Sequence, residues 1–165
     1  MANFLLIALA AALGACAKPP GISGSFPIGM FAVGNPEDMA VLREAGFNAA
    51  QSYAMDLERL KPLAKAAQDA GIRLLVHPQP WLGAAPPGQE LPLLAWYLTD
   101  EPDTQRMSPG QLEEMDQRAR AWSPADPTAF AVGDGRKAKL YARSGQALMV
   151  DWYPVPHLPL ESVGD

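Results

Sequence analysis

Acidic and aromatic residues recur where short apolar segments of this chain end. Tyr53 and His77 close two of these segments, Asp100 and Glu101 close a third, and residues 151–153 (DWY) close the last. In a parallel barrel the functional residues stand at the carboxyl ends of the strands. Carboxylates beside aromatic rings suit sugar hydrolysis, which needs an acid for the leaving oxygen, a second carboxylate, and flat faces for pyranose rings.

The segments between these residues alternate strand and helix patterns, which is typical of βαβ units and a parallel sheet. Six strands are predicted, over residues 26–33, 47–53, 72–77, 93–101, 128–132 and 147–153. Cap residues followed by apolar positions at helical spacing predict four helices, over residues 35–46, 56–71, 109–122 and 137–143. Between His77 and Leu91 the helical pattern fails, and a Pro-rich loop is predicted there instead.

Residues 95–102 (AWYLTDEP) carry a specific resemblance. They resemble the fourth-strand segment of glycoside-hydrolase-type TIM barrels, in which Asn-Glu-Pro or Asp-Glu-Pro ends the strand. The resemblance implies a (β/α)8 TIM barrel, an acid/base role for Glu101, and a role for Asp100 in holding the sugar. It extends over residues 26–153 and implies a carbohydrate substrate.

A second carboxylate is expected from Asp151. Strands two apart in a sheet lie ~9 to 10 Å apart, so Glu101 and Asp151 could span the ~6.5 to 9.5 Å of an inverting pair. The predicted substrate-binding residues are Asp100, Tyr53, His77, Trp81 and Tyr153. Structural roles stay open for several of these side chains: a turn-capping Glu101, a structural Asp151, a core His77, and a Trp81 that pins the Pro-rich loop.

The length predicts an incomplete barrel. A (β/α)8 barrel typically takes ~250 residues, and from Cys16 onward this chain has 150 (165 minus 15). The expected domain at residues 26–165 is therefore a TIM barrel truncated after about six strands, an inactive or incomplete fragment as it stands. The strand that carries the nucleophile in the resembled superfamily, the seventh, is not among those predicted.

The N-terminus predicts export and lipid anchoring. Residues 4–13 form an apolar run too short to cross a bilayer but suited to a signal peptide. Residues 13–16 (LGAC) resemble the lipobox of bacterial lipoproteins, which implies acyl chains such as palmitate on Cys16, a signal peptide over 1–15 and a tether over 16–25. Ala17 favours the outer membrane of the cell envelope. An ordinary signal peptide, or an apolar N-terminus with a chance cysteine, is the alternative.

Composition excludes several classes of function. The net charge of −5, without a basic run, argues against nucleic-acid binding. Two His residues, and no metal-ligand spacing or phosphate-binding glycine loop, predict no metal and no cofactor. Two alternatives stay open: a complete doubly wound sheet of six strands, and a non-catalytic carbohydrate-binding or surface lipoprotein that keeps the barrel scaffold.

Overall fold

The structure is a computed structural model, and it describes residues 26–82 and 91–151. The predictions for the signal peptide, the tether, Cys16 and Tyr153 fall outside the described residues. Within them lies one six-stranded sheet, made of β1 (Gly29–Met30), β2 (Ala49–Ser52), β3 (Arg73–Val76), β4 (Leu93–Asp100), β5 (Thr128–Val132) and β6 (Ala147–Val150).

The strands follow one another in chain order, and every neighbouring pair is parallel. The sheet curls into a half-barrel, so the predicted α/β class with parallel strands is confirmed. A doubly wound sheet requires the strand order to reverse at a switch point. The described order from β1 to β6 has no reversal, so the doubly wound alternative is wrong.

Four α-helices connect the strands: α1 (Asp38–Glu44), α2 (Leu57–Ala70), α3 (Pro109–Trp122) and α4 (Ala138–Tyr141). The bounds of α3 are those predicted, because Ser108 and Gln111 form a reciprocal capping box and Pro109 occupies the first helical position. Helix α2 is also capped as predicted. The Asp56 side chain accepts a hydrogen bond from the Arg59 amide, and Gly71 ends the helix at a φ of 67°.

The first strand and the first helix are shorter than the sequence predicts. β1 has only two residues. Before it, the Asn48 side-chain amide donates to the Phe26 carbonyl and its oxygen accepts from the Ile28 amide, each at 2.8 Å, and after it Ala32 leaves the extended conformation with a φ of 60°. Helix α1 begins at Asp38, not directly after Asn35. The Asn35 carbonyl accepts from the Asp38 amide in a separate turn before the helix.

The two faces of the sheet differ in what they contact. Alternate strand residues on the convex face pack among the helices, namely Ala50, Leu74, Val76, Trp96, Leu98, Phe130 and Val132. The intervening residues form a separate cluster on the concave face, namely Ala49, Leu75, Ala95, Tyr97, Ala129 and Ala131, and Leu94 joins it at the register shift between β3 and β4. In β4, Ala95 and Tyr97 lie on the concave face, and Trp96 and Leu98 pack toward the helices.

A short 3-10 helix, Gln79–Trp81, follows β3 where the sequence predicts no α-helix. Trp81 packs against the same hydrophobic cluster as Trp96 and Trp122, and the last two rings lie 5.1 Å apart between centroids. Aromatic side chains therefore cover part of the convex face in this interval.

Candidate functional site

A register shift at the end of β4 decides which acid faces the concave side. Tyr97 pairs with Ala129 and Asp100 pairs with Ala131, so β4 uses one more residue than β5 over the same interval. The extra residue turns Asp100 to the side that Tyr97 occupies.

Two tyrosine hydroxyls hold the Asp100 carboxylate. Tyr97 donates to Oδ1 at 2.5 Å and Tyr53 donates to Oδ2 at 2.7 Å, which are distances typical of hydroxyl to carboxylate hydrogen bonds. The Gln105 side chain also donates to the Asp100 backbone carbonyl at 2.6 Å. Each carboxylate oxygen keeps further acceptor capacity, so Asp100 can accept hydrogen bonds beyond those of the two tyrosines.

Aromatic rings surround this carboxylate. The His77 ring lies 5.4 Å from the Tyr97 ring and 6.0 Å from the Tyr53 ring, and Phe31 meets Tyr97 edge-on at 6.0 Å. Such offset and edge-on pairs stabilise one another beyond their burial. Together they form an apolar wall beside Asp100.

Burial sets the protonation of two of these groups. It lowers the pKa of His77, outweighing the opposing effects of a hydrogen bond to the Tyr97 backbone and of the Asp100 charge. Burial also raises the pKa of Tyr97 far above its ordinary value, and the hydrogen bond to Asp100 raises it further. Tyr97 therefore remains a neutral donor, and a neutral imidazole is favoured at His77.

Glu101 follows directly and adopts a left-handed backbone, with φ at 40°. Its carboxylate accepts a hydrogen bond from the Thr104 hydroxyl at 3.1 Å and lies against Gly133, just beyond β5. A non-glycine residue in this region is strained, and such strain concentrates at functional sites.

Asp151 lies at the same rim. Its amide donates to the Val132 carbonyl at 2.8 Å, which extends the pairing of β5 past the end of β6. Its charge acts on the Tyr97 hydroxyl, because it contributes to the raised pKa of that group. The parallel strands thus gather most of the predicted site residues at one edge, namely Tyr53, His77, Asp100, Glu101 and Asp151.

Trp81 does not join this group. It packs against the hydrophobic cluster on the convex face, which matches the alternative in which it pins the loop after β3.

Two side chains that the sequence did not assign to the site do contribute to the rim, Tyr97 and Asp103. The hydroxyl contact of Tyr97 spans three residues and depends on the register shift, which leaves no sequence signal.

Within the described ranges, no group of three or more His, Cys, Asp or Glu side chains could hold a metal ion. Nor does any helix there combine the length and apolar character needed to cross a bilayer. Comparison with family models, curated proteins and solved structures finds no match to this chain.

Proposed function

We propose that this chain is a glycoside-hydrolase-like protein that acts on carbohydrate, and that its six strands are the first six of a (β/α)8 barrel. The observation that carries the proposal is the Asp100 carboxylate, held by Tyr53 and Tyr97 at the carboxyl ends of parallel strands with Glu101 beside it. The sequential order of the strands and the curl of the sheet support the barrel.

The roles of Asp100 and the aromatic rings rest on their contacts, and that of Glu101 rests on the resemblance of residues 95–102 to the fourth strand of glycoside-hydrolase-type barrels. Asp100 accepts hydrogen bonds from sugar hydroxyls, and the rings of Tyr53 and His77 offer apolar surface to the pyranose face. Glu101 is the acid that protonates the leaving oxygen. Asp151 is the second carboxylate, which removes a proton from the attacking water.

Release of reducing ends from a panel of neutral polysaccharides and oligosaccharides tests the proposal. Glu101→Gln removes the acid, and where the wild type releases sugar we expect that release to fall ~100-fold or more. Glu113→Gln, an exposed acid on α3, is the matched control and should keep the wild-type rate. Equal rates for the wild type and Glu101→Gln would remove Glu101 from the mechanism.

One observation favours a second candidate, a non-catalytic carbohydrate-binding protein. The Glu101 carboxylate already accepts a hydrogen bond from Thr104 within its own turn, as a structural acid does. Affinity electrophoresis in polysaccharide gels separates the candidates. A pure binding protein is retarded without releasing sugar, loses retardation in Asp100→Ala, and keeps it in Glu101→Gln.

We also propose, from residues 4–16, that the protein is exported and anchored to the cell envelope by acyl chains on Cys16. Burial of each acyl CH2 group contributes ~0.8 kcal/mol, so several chains anchor a protein stably. Metabolic labelling with palmitate in a bacterial host tests this. Label should enter the wild type and be absent from Cys16→Ser, whereas label retained in Cys16→Ser would contradict lipidation at this residue.

A further inference from the structure

The Glu101 carboxylate lies against Gly133, a residue without a side chain just beyond the end of β5. A Cβ atom added at Gly133 would stand 2.8 Å from both Cδ and Oε1 of Glu101, and 3.1 Å from Cγ2 of Thr104. Real Cβ atoms essentially never approach so closely. Gly133 is not among the residues with positive φ, so its backbone would accept any L residue. An alanine at this position would therefore displace the Glu101 carboxylate, the far end of a flexible side chain, whereas glycine leaves that carboxylate where it stands.

The buried Asp103 carboxylate binds the backbone amide of Gly133. The Asp103 side chain is 0% exposed, and its two oxygens accept hydrogen bonds from the amides of Gly133 and Asp134, each at 3.0 Å. Lys137 stands 3.7 Å from the same carboxylate. These bonds join the turn after β4, which carries Glu101, to the turn after β5, which carries Gly133. The two turns are thereby held as one unit.

We propose that Gly133 and Asp103 are positioning residues that seat the Glu101 carboxylate at the rim. Gly133 leaves the space, Asp103 holds that space in register, and the Thr104 hydroxyl engages Oε2. The importance of this carboxylate position for catalysis rests on the proposed function, in which Glu101 is the acid. A misplacement of ~1 Å in an acting group can cost ~100-fold in rate.

A double-mutant cycle on the melting temperature tests whether Gly133 leaves space for the Glu101 carboxylate, and it needs no sugar substrate. Gly133→Ala should lower Tm by ~2 °C when Glu101 is present, and should have little effect in a Glu101→Ala background. Gly110→Ala is the control, because a Cβ there meets nothing within 4 Å, and its effect should be the same in both backgrounds.

Equal loss of Tm from Gly133→Ala with and without Glu101 would overturn the proposal. If Gly133→Ala alone fails to fold, the double variant Gly133→Ala/Glu101→Ala should fold, and its failure to fold would equally overturn the proposal. The cycle remains decisive when the protein releases no sugar. The proposed positioning of Glu101 and the proposed function can therefore be contradicted separately.

Kinetics add a second readout where sugar release is measurable. Asp103→Asn should lower kcat about tenfold or more at an unchanged KM, because its amide can accept from only one of the two backbone N–H groups. In a Glu101→Gln background the same change should cost nothing further. An independent loss in that background, or a rise in KM alone, would show that Asp103 does not act through Glu101.

Discussion

At the scale of single residues, the charge of Asp100 is stabilised by neutral donors. Its oxygens bind the hydroxyls of Tyr53 and Tyr97, and neither carboxylate oxygen has a cation partner among the ion pairs of the described residues. Tyrosine hydroxyls orient a carboxylate without neutralising it. The two hydroxyls therefore fix the directions in which the Asp100 oxygens can accept further hydrogen bonds.

The protonation of His77 gives a prediction at this scale. Burial lowers the folded-state pKa of His77 below its ordinary value of 6.5, so the unfolded chain binds a proton that the folded chain resists. The resulting stability is fully present above about pH 6.5 and is lost as the pH falls from there through the lowered pKa. We expect the free energy of unfolding of the wild type to fall more steeply between about pH 7 and pH 5 than that of His77→Gln.

Urea unfolding at a series of pH values measures this difference. The carboxylates titrate in both proteins, so the comparison isolates His77. Parallel pH curves for the two proteins would mean that His77 titrates normally in the folded state.

At the scale of elements, local chemistry made α2, α3 and β5 predictable. The sequence shows the caps of α2, Asp56 and Gly71, and the N-cap of α3, Ser108. The bounds of β5 are also those predicted. The short β1 was not predictable, because the segment before it contacts, at Ile28, the side chain of Asn48, twenty residues away. The same is true of Asp100, whose direction depends on how β4 pairs with β5.

The docking of α3 on the sheet gives a prediction for an element. Asp116 is a buried acid of α3 that accepts a hydrogen bond from the Thr128 hydroxyl of β5 at 2.5 Å and pairs with Arg120 at 2.8 Å. Asp116→Ala leaves the buried Thr128 hydroxyl without this partner, and we expect a loss of about 2 kcal/mol in the free energy of unfolding.

Chemical denaturation measures this loss. Glu113→Ala is the control, because it removes an exposed acid from the same helix and should change stability by less than about 0.5 kcal/mol. If both substitutions cost the same, Asp116 does not anchor α3 to β5.

At the scale of the whole molecule, the class of fold was predictable, and the open half-barrel is compatible with the predicted truncation after six strands. Alternating strand and helix patterns are local, and they indicate a parallel sheet directly. The described sheet has β1 and β6 at its edges, and side chains beside both edges are exposed, with Ile28 at 52% and Val150 at 48%. Edge strands with apolar exposed residues favour pairing with another chain.

We therefore expect this chain to associate with itself as its concentration rises. The variant Ile28→Lys/Val150→Lys should shift the sedimentation profile toward the monomer, because charged side chains oppose pairing at sheet edges. Val41→Lys is the control, since Val41 is 64% exposed and lies on helix α1, outside both edge strands. A wild type that stays monomeric with a cooperative melt would contradict this account of the edges.

The central claim is that the Tyr53–Asp100–Tyr97 unit binds carbohydrate, and tyrosine resonances report on it most directly. The chain has four tyrosines, so ring-labelled protein gives four assignable signals. Tyr141 is the internal control, because its hydroxyl binds the Met107 carbonyl and its ring belongs to the cluster on the convex face. On titration with the neutral oligosaccharides, the account predicts that the signals of Tyr53 and Tyr97 shift saturably while that of Tyr141 stays in place. No shift at Tyr53 and Tyr97 with any sugar of the panel, or a shift at Tyr141 alone, would contradict it.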